Sequence, residues 1–266
     1  MKKTCTVLLV LLYSSFSLFA QQDSVQTAPR LSLKDTSYPV TDWTRPPAKN
    51  PFPFRKALLP ASFVVYGVLS LKTAPLLHLN EKAKEEIWTE NPHGTVRVDD
   101  YLKWMPAVAV YGLNMAGIKG KNNFRDRTII YGMSNIIMSS VVFSVKKFAG
   151  EVRPNGADAL SFPSGHTAAA FAAAEFMRQE YKDVSPWYGV AGYVMAGATG
   201  YLRMYNNKHW LGDVVAGAGI GILSTDLAYY LYPYIKRKLF KNKPVSTIVM
   251  PTYQNGTLGV GLVHHF

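Results

Sequence analysis

Three clusters of side chains in this sequence have the types and spacing to do chemistry on an anion. His209 and Asp213 stand four residues apart, so on a helix they share one face about a turn apart. A carboxylate beside an imidazole holds one tautomer and stabilises the cation, leaving the other ring nitrogen free to attack. Arg203 precedes this pair. The second cluster is Pro163-Ser164-Gly165-His166, which opens an alanine-rich stretch. A capping Ser and a Gly at a helix start direct free backbone N–H groups at an anion. His166, in the first turn, is placed to give a proton to a leaving group. The third cluster is Lys146, then Arg153-Pro154.

Each cluster alone has an ordinary reading: a helix-surface pair, a plain N-cap with a buried histidine, and cations at a helix C-terminus. Together they bring three cations, two histidines, a carboxylate and a helix N-terminus. Lys and Arg neutralise a phosphate, and Arg does so through two parallel hydrogen bonds. No cluster of Asp or Glu accompanies these motifs to hold magnesium or a second metal. The expectation is covalent phosphate chemistry with no metal and no cofactor. The single cysteine, Cys5, excludes a disulfide framework and a cysteine metal site.

The elements that must position these residues are helices. Six apolar segments follow one another: 57–77, 101–118, 128–145, 165–177, 186–202 and 210–235. Each is long enough for a helix and too long for a strand, and none alternates with period two. The fold expected is all-α: a six-helix, membrane-embedded bundle with a short C-terminal β-hairpin. The hairpin follows from Asn255-Gly256 between two apolar runs. Small residues such as Gly192, Ala196, Gly217 and Gly221 allow close helix contact, as in membrane bundles.

The domains expected are a signal-like segment at 1–20, a polar, proline-rich lead-in at 21–56, the helical domain at 57–240 and a tail at 241–266. The first segment has a basic start and a short apolar core. Net charge is +12, from 29 Lys and Arg against 17 Asp and Glu, which favours anionic partners. With no zinc-finger spacing and no base-reading basic helix, nucleic acid is excluded as the partner. Membrane lipids and a phosphorylated substrate remain, and no protein partner is implied.

Counting Lys and Arg in the gaps between helices gives a side. The gaps 45–56, 119–127, 178–186 and 236–243 hold more than 78–103, 146–163 and 203–209. By the positive-inside rule the second set, which contains the clusters, faces outward. Six spans in that orientation put the N-terminus inside, whereas a cleaved leader would put it outside; the two expectations conflict.

On these residues the sequence resembles the type 2 phosphatidic acid phosphatase family, which shares its site with vanadium haloperoxidases and bacterial class A acid phosphatases. The family pattern of Lys, six residues and Arg-Pro is met by Lys146 and Arg153-Pro154. Pro-Ser-Gly-His is residues 163–166, and Arg, five residues, His, three residues, Asp is Arg203, His209 and Asp213. The resemblance covers about 100–235. It departs at Leu202, where the family has Ser, and in the eight residues between Pro154 and Pro163, which imply a tight site with little lid. The resemblance implies that His209 is the nucleophile, oriented by Asp213. It makes His166 the acid for the leaving oxygen and then the base for water. Lys146, Arg153, Arg203 and the Ser164 and Gly165 amides would bind the phosphoryl oxygens.

Apolar helices around an outward anionic site imply an amphiphilic substrate in a bacterial envelope. That means the inner membrane, with the site facing the periplasm. Phosphatidate, phosphatidylglycerophosphate, an isoprenoid diphosphate and the lipid A headgroup are the candidates, lipid A and undecaprenyl diphosphate first. A soluble periplasmic acid phosphatase is the enzyme alternative. A membrane protein without catalytic function is the other.

Overall fold

The computed structural model describes residues 54–91, 93–239, 247–254 and 257–264. The expected segment at 1–20 and nearly all of the lead-in at 21–56 lie outside the described residues. Most described residues are helical. In chain order the helices are α1 (Phe54–Leu69), α2 (Ala74–Lys84), α3 (Asp99–Leu102), α4 (Met105–Met115), α5 (Phe124–Ala149), α6 (Gly165–Tyr181), α7 (Pro186–Tyr205) and α8 (Leu211–Leu239). A π-helical turn, Glu85–Thr89, extends α2. Strands β1 (Thr247–Gln254) and β2 (Thr257–His264) pair antiparallel, with Gln254 opposite Thr257.

Eight α-helices among the described residues replace the six expected, and both extra breaks have one cause. The segment 57–77 does not run through. It stops after Leu69, and α2 restarts with Pro75 in its first turn, bent 90° from α1. The segment 101–118 divides in the same way, with Pro106 in the first turn of α4. Proline offers no N–H to the preceding turn and disfavours helical geometry in the residue before it. It therefore starts helices readily and interrupts them.

The long helices have clear ends. Asn123 caps α5 by accepting from the Asp126 N–H at 2.9 Å, and Gly150 closes it in the left-handed conformation at φ 60°. α5 and α8 are each long and apolar enough to cross a membrane, and the bent pair α1–α2 makes a third if it counts as one span.

α6 is the central helix. Ala168, Ala170, Ala172, Ala173 and Ala174 on it are fully buried, and it packs on α4, α5, α7 and α8. Two glycines of α8 let that helix approach. A Cβ on Gly217 would lie 2.6 Å from the Ser164 carbonyl oxygen. One on Gly221 would lie 2.3 Å from the Ala168 carbonyl oxygen and 2.8 Å from the Ala172 nitrogen. Since these neighbours are backbone, any larger residue would push the helices apart. The contact sets the spacing between the start of α6 and the start of α8, where the clusters lie.

Candidate active site

Helix termini bring the three clusters to one end of the bundle. Ser164 is the N-cap of α6 and is fully buried. Its Oγ accepts from the Thr167 N–H at 3.4 Å and lies 2.9 Å from Thr167 Oγ1. Its own N–H donates to the Asp213 carbonyl at 3.0 Å. This corrects one expectation: the Ser164 N–H is committed to the protein, so it is not a ready phosphate donor. The first-turn N–H groups with no bonded acceptor among the described residues are those of Gly165 and His166, where the helix dipole also favours an anion.

His209 and Asp213 meet as the spacing implied. His209 Nδ1 lies 3.2 Å from Asp213 Oδ2, with both side chains almost fully buried. The same carboxylate oxygen accepts from the Trp210 N–H at 2.9 Å and from the Ser161 hydroxyl at 2.5 Å. A carboxylate held this way stays an acceptor, so Nδ1 carries the ring proton and Nε2 keeps its lone pair. Burial pulls the His209 imidazole down to about 4, more than the Asp213 carboxylate raises it; the Arg203 and Lys146 cations push the same way. The His209 ring is therefore neutral at pH 7.

The Arg203 guanidinium, nearly buried, donates from Nη1 to Asp99 Oδ2 at 2.5 Å, while its Nε is buried without a hydrogen-bond partner. A buried, unpaired guanidinium donor is costly unless an acceptor arrives. Asn206 holds the Asp99 segment in place, with Nδ2 donating to the Val96 carbonyl at 2.7 Å and Oδ1 accepting from the Val96 N–H at 2.8 Å. Between α7 and α8, Asn207 turns the chain at φ 53°, a conformation asparagine tolerates better than most residues. That turn brings Arg203 and His209 to one place.

Lys146 reaches from the end of α5 to the carbonyls of Leu160, at 2.5 Å, and Ser161, at 3.1 Å. Arg153 donates from Nε to Asp158 Oδ1 at 2.7 Å and from Nη1 to the Lys208 carbonyl at 3.4 Å. The Arg153 guanidinium holds the exposed Asp158 carboxyl below its usual range. The short connection between Pro154 and Pro163 folds on itself, with Arg153 N–H to Asp158 O at 3.0 Å and Ser161 N–H to Glu151 O at 2.9 Å.

His166 sits at the rim. Its Nε2 lies 2.8 Å from Asp100 Oδ1 and 3.1 Å from Lys103 Nζ. Burial lowers its proton affinity and the Arg203 cation adds to this, while the hydrogen bond to Asp100 opposes both. From His166 a groove of about 300 Å³ runs along α5, with Lys146 at one end and Met138, Val142, Phe143 and Trp104 along it.

Sequence reasoning missed Ser161, Asp99, Asp100 and Lys103. It also held that no acid cluster accompanies the motifs, whereas Asp99, Asp100 and His166 place ligand atoms within 4.8 Å of one another. Those acids are engaged: Asp99 with the Arg203 guanidinium, and Asp100 with the His166 ring. Their signal in the sequence was an adjacent acid pair in the gap 78–103, on the side that holds the clusters.

The PAP2 superfamily model matches residues 127–237, a stretch that contains every motif from Lys146 to Asp213. Over this region the chain is similar to the PAP2 superfamily. Over 172 residues the chain is 36% identical to the lipid A 1-phosphatase of Porphyromonas gingivalis, a match covering 64% of this chain and 39% of that protein. The chain thus spans well under half the length of that relative. Among solved structures, the Aquifex aeolicus LpxE structure aligns with TM-score 0.44 and 20% identity, over 57% of this chain and 95% of its own. The Bacillus subtilis PAP2 type phosphatidylglycerolphosphate phosphatase aligns with TM-score 0.46 and 17% identity, over 70% and 99%. The PAP2 region begins in the first turn of α5, so Asp99, Asp100 and Lys103 lie ahead of it.

Proposed function

We propose that this PAP2 protein is a metal-independent phosphatase acting on phosphate monoesters or diphosphates of envelope lipids through a phosphohistidine at His209. The observation that carries the reading is the buried His209 ring, kept neutral at pH 7 and bound through Nδ1 to Asp213. The unbonded Arg203 Nε lies in the same buried cluster. In this reading His209 Nε2 attacks phosphorus. Lys146, Arg153, Arg203 and the Gly165 amide take the phosphoryl charge. His166 gives a proton to the leaving oxygen and then accepts one from the water that cleaves the P–N bond. Ser164 acts by fixing the start of α6 against Asp213.

The groove along α5 suits a hydrocarbon chain, and it lies on a helix apolar enough to cross a bilayer. Ile136 and Phe143 of that helix are exposed in the protein alone, as lipid-facing residues are. We place the helical domain, 57–240, in an inner membrane with the site toward the periplasm, as the distribution of Lys and Arg favours. The strands within 241–266 form an appendage. Lipid A is the first substrate to test, because the 36%-identical relative is a lipid A 1-phosphatase.

The test is phosphate release by the purified protein in EDTA, on a panel of lipid A, undecaprenyl diphosphate, phosphatidate and phosphatidylglycerophosphate. Release is expected from at least one, and His209→Ala should cut it by at least about 10⁴-fold with an unchanged melting temperature. Retained turnover in that variant would sink the phosphohistidine assignment, and loss of wild-type activity in EDTA would sink metal independence.

A further inference from the structure

The segment just ahead of the PAP2 region reaches into the site with two opposite charges at one nitrogen of His166. Asp100 lies on the one-turn helix α3 and Lys103 immediately follows that helix. Asp100 Oδ1 is 2.8 Å from His166 Nε2, and Lys103 Nζ is 3.1 Å from the same nitrogen. The carboxylate decides what that nitrogen carries. Asp100 is the nearer of the two. An unprotonated Nε2 would set its lone pair against the carboxylate's, so Nε2 bears a hydrogen and donates it to Asp100. Lys103 acts on the ring as a charge, not as a hydrogen-bond donor. The neighbouring Asp99 faces inward to Arg203 and is fully buried. That pair and Asn206 anchor α3, which presents Asp100 to His166.

We propose that Asp100 is a positioning residue for the leaving-group acid: it holds the His166 ring through Nε2–H and so selects the nitrogen that protonates the departing oxygen. The proposal rests on the phosphatase reading above. The reactive form of the ring is the imidazolium paired with the Asp100 carboxylate, a form that burial confines to more acid pH than an ordinary histidine. As the His209–P bond forms and the ester P–O bond breaks, the leaving oxygen displaces the carboxylate and takes the Nε2 proton. His166 is then neutral with a free Nε2 lone pair. That lone pair accepts a proton from the water attacking phosphohistidine, which restores the imidazolium and the Asp100 contact.

The charges around the ring are divided. Asp100 favours the cation, whereas Lys103 from the turn after α3 and Arg203 from α7 oppose it. Lys208, in the loop before α8, acts on Asp100 itself, and Lys146 from α5 lines the same groove. Removing Asp100 leaves the ring with these cations and with Asp99, whose carboxylate is already paired with Arg203.

The test compares wild type, Asp100→Asn, Asp100→Glu and Lys103→Met by kcat/KM against pH. It uses an alkyl phosphate lipid and 4-nitrophenyl phosphate, whose leaving group needs no proton. Asp100→Asn should move the basic limb down by about one pH unit and lower the alkyl phosphate rate at pH 7 about tenfold. The loss should recover at acid pH and should be small on 4-nitrophenyl phosphate. Asp100→Glu should restore most of it, and Lys103→Met should move the limb upward. An equal loss at every pH and on both substrates would mean a structural role and overturn the proposal. Imidazole NMR, with the His166 signal identified by its loss in His166→Asn, reads the contact without turnover. It should show the His166 titration falling by about one unit in Asp100→Asn. An unmoved titration overturns the contact itself. A moved titration with unmoved kinetics overturns the role while the phosphatase reading stands. A wild type that releases no phosphate defeats that reading and the proposal with it.

Discussion

α6 carries charged clusters at both ends, and they are built to opposite ends. At its C-terminal end Glu180 is sealed in. It lies 3.6 Å from Arg127 with both side chains almost fully buried, and it accepts from the Asn122 N–H and amide and from the Tyr229 hydroxyl. Glu175 nearby accepts from Arg178, Gln179 and Tyr193. At the N-terminal end the pairing is incomplete. Arg203 Nε has no partner, first-turn amides of α6 are unbonded, and His166 with Asp100 is partly exposed. Charge density does not separate the two ends. A structural network closes on itself, whereas a site keeps donors in reserve for an incoming anion.

That contrast can be broken or sharpened by substitution. The largest effect after His209→Ala belongs to the sealed end. Glu180→Gln should cost about 3–5 kcal/mol of stability by stranding buried Arg127, seen as a lower unfolding midpoint in detergent. The kcat/KM of the protein that remains folded should be unchanged. If activity per folded molecule collapsed instead, the far end would be part of the site. Between the two ends, Gly221→Ala should destabilise by about 1–3 kcal/mol, because its Cβ has only α6 backbone to meet. A fully wild-type midpoint there would contradict the helix spacing.

At the site end, Ser161→Ala removes one donor from Asp213 and should lower kcat/KM about tenfold, with little change in melting. Smallest in size but sharpest in sign is the pH profile. In the proposed mechanism His209 attacks as the neutral ring, so activity should fall as pH drops through about 4. His166 acts there as the protonated acid, and burial holds its titration below the usual histidine range. Activity should therefore decline above mildly acidic pH. A profile that rises steadily through pH 8 would reverse the assignment of the two histidines.

The sequence made the motif residues legible because their spacing survives folding locally. The four-residue step from His209 to Asp213 is a helical turn, and Ser164 before Gly165 is a cap. The helix breaks are marked in the sequence by Pro75 and Pro106, which continuous apolarity on either side masks. What could not be read was pairing across long chain separations. Nothing in the residues around Arg203 announces Asp99, over a hundred positions earlier, or tells that one of two adjacent aspartates points inward and the other toward His166. The Ser164 N–H was misassigned for a similar reason, since its acceptor is the Asp213 carbonyl on another helix.

The bond from the Ser164 N–H to Asp213 O, with Gly217 and Gly221 seated on α6 backbone, makes the starts of α6 and α8 one rigid body. If α8 tilts as the surrounding bilayer thins or thickens, His209 and the first-turn amides of α6 travel together, and the attack distance of the proposed mechanism is preserved. Mechanical strain from the membrane would then be felt first at the other junction, where α3 presents Asp100 to the proton donor.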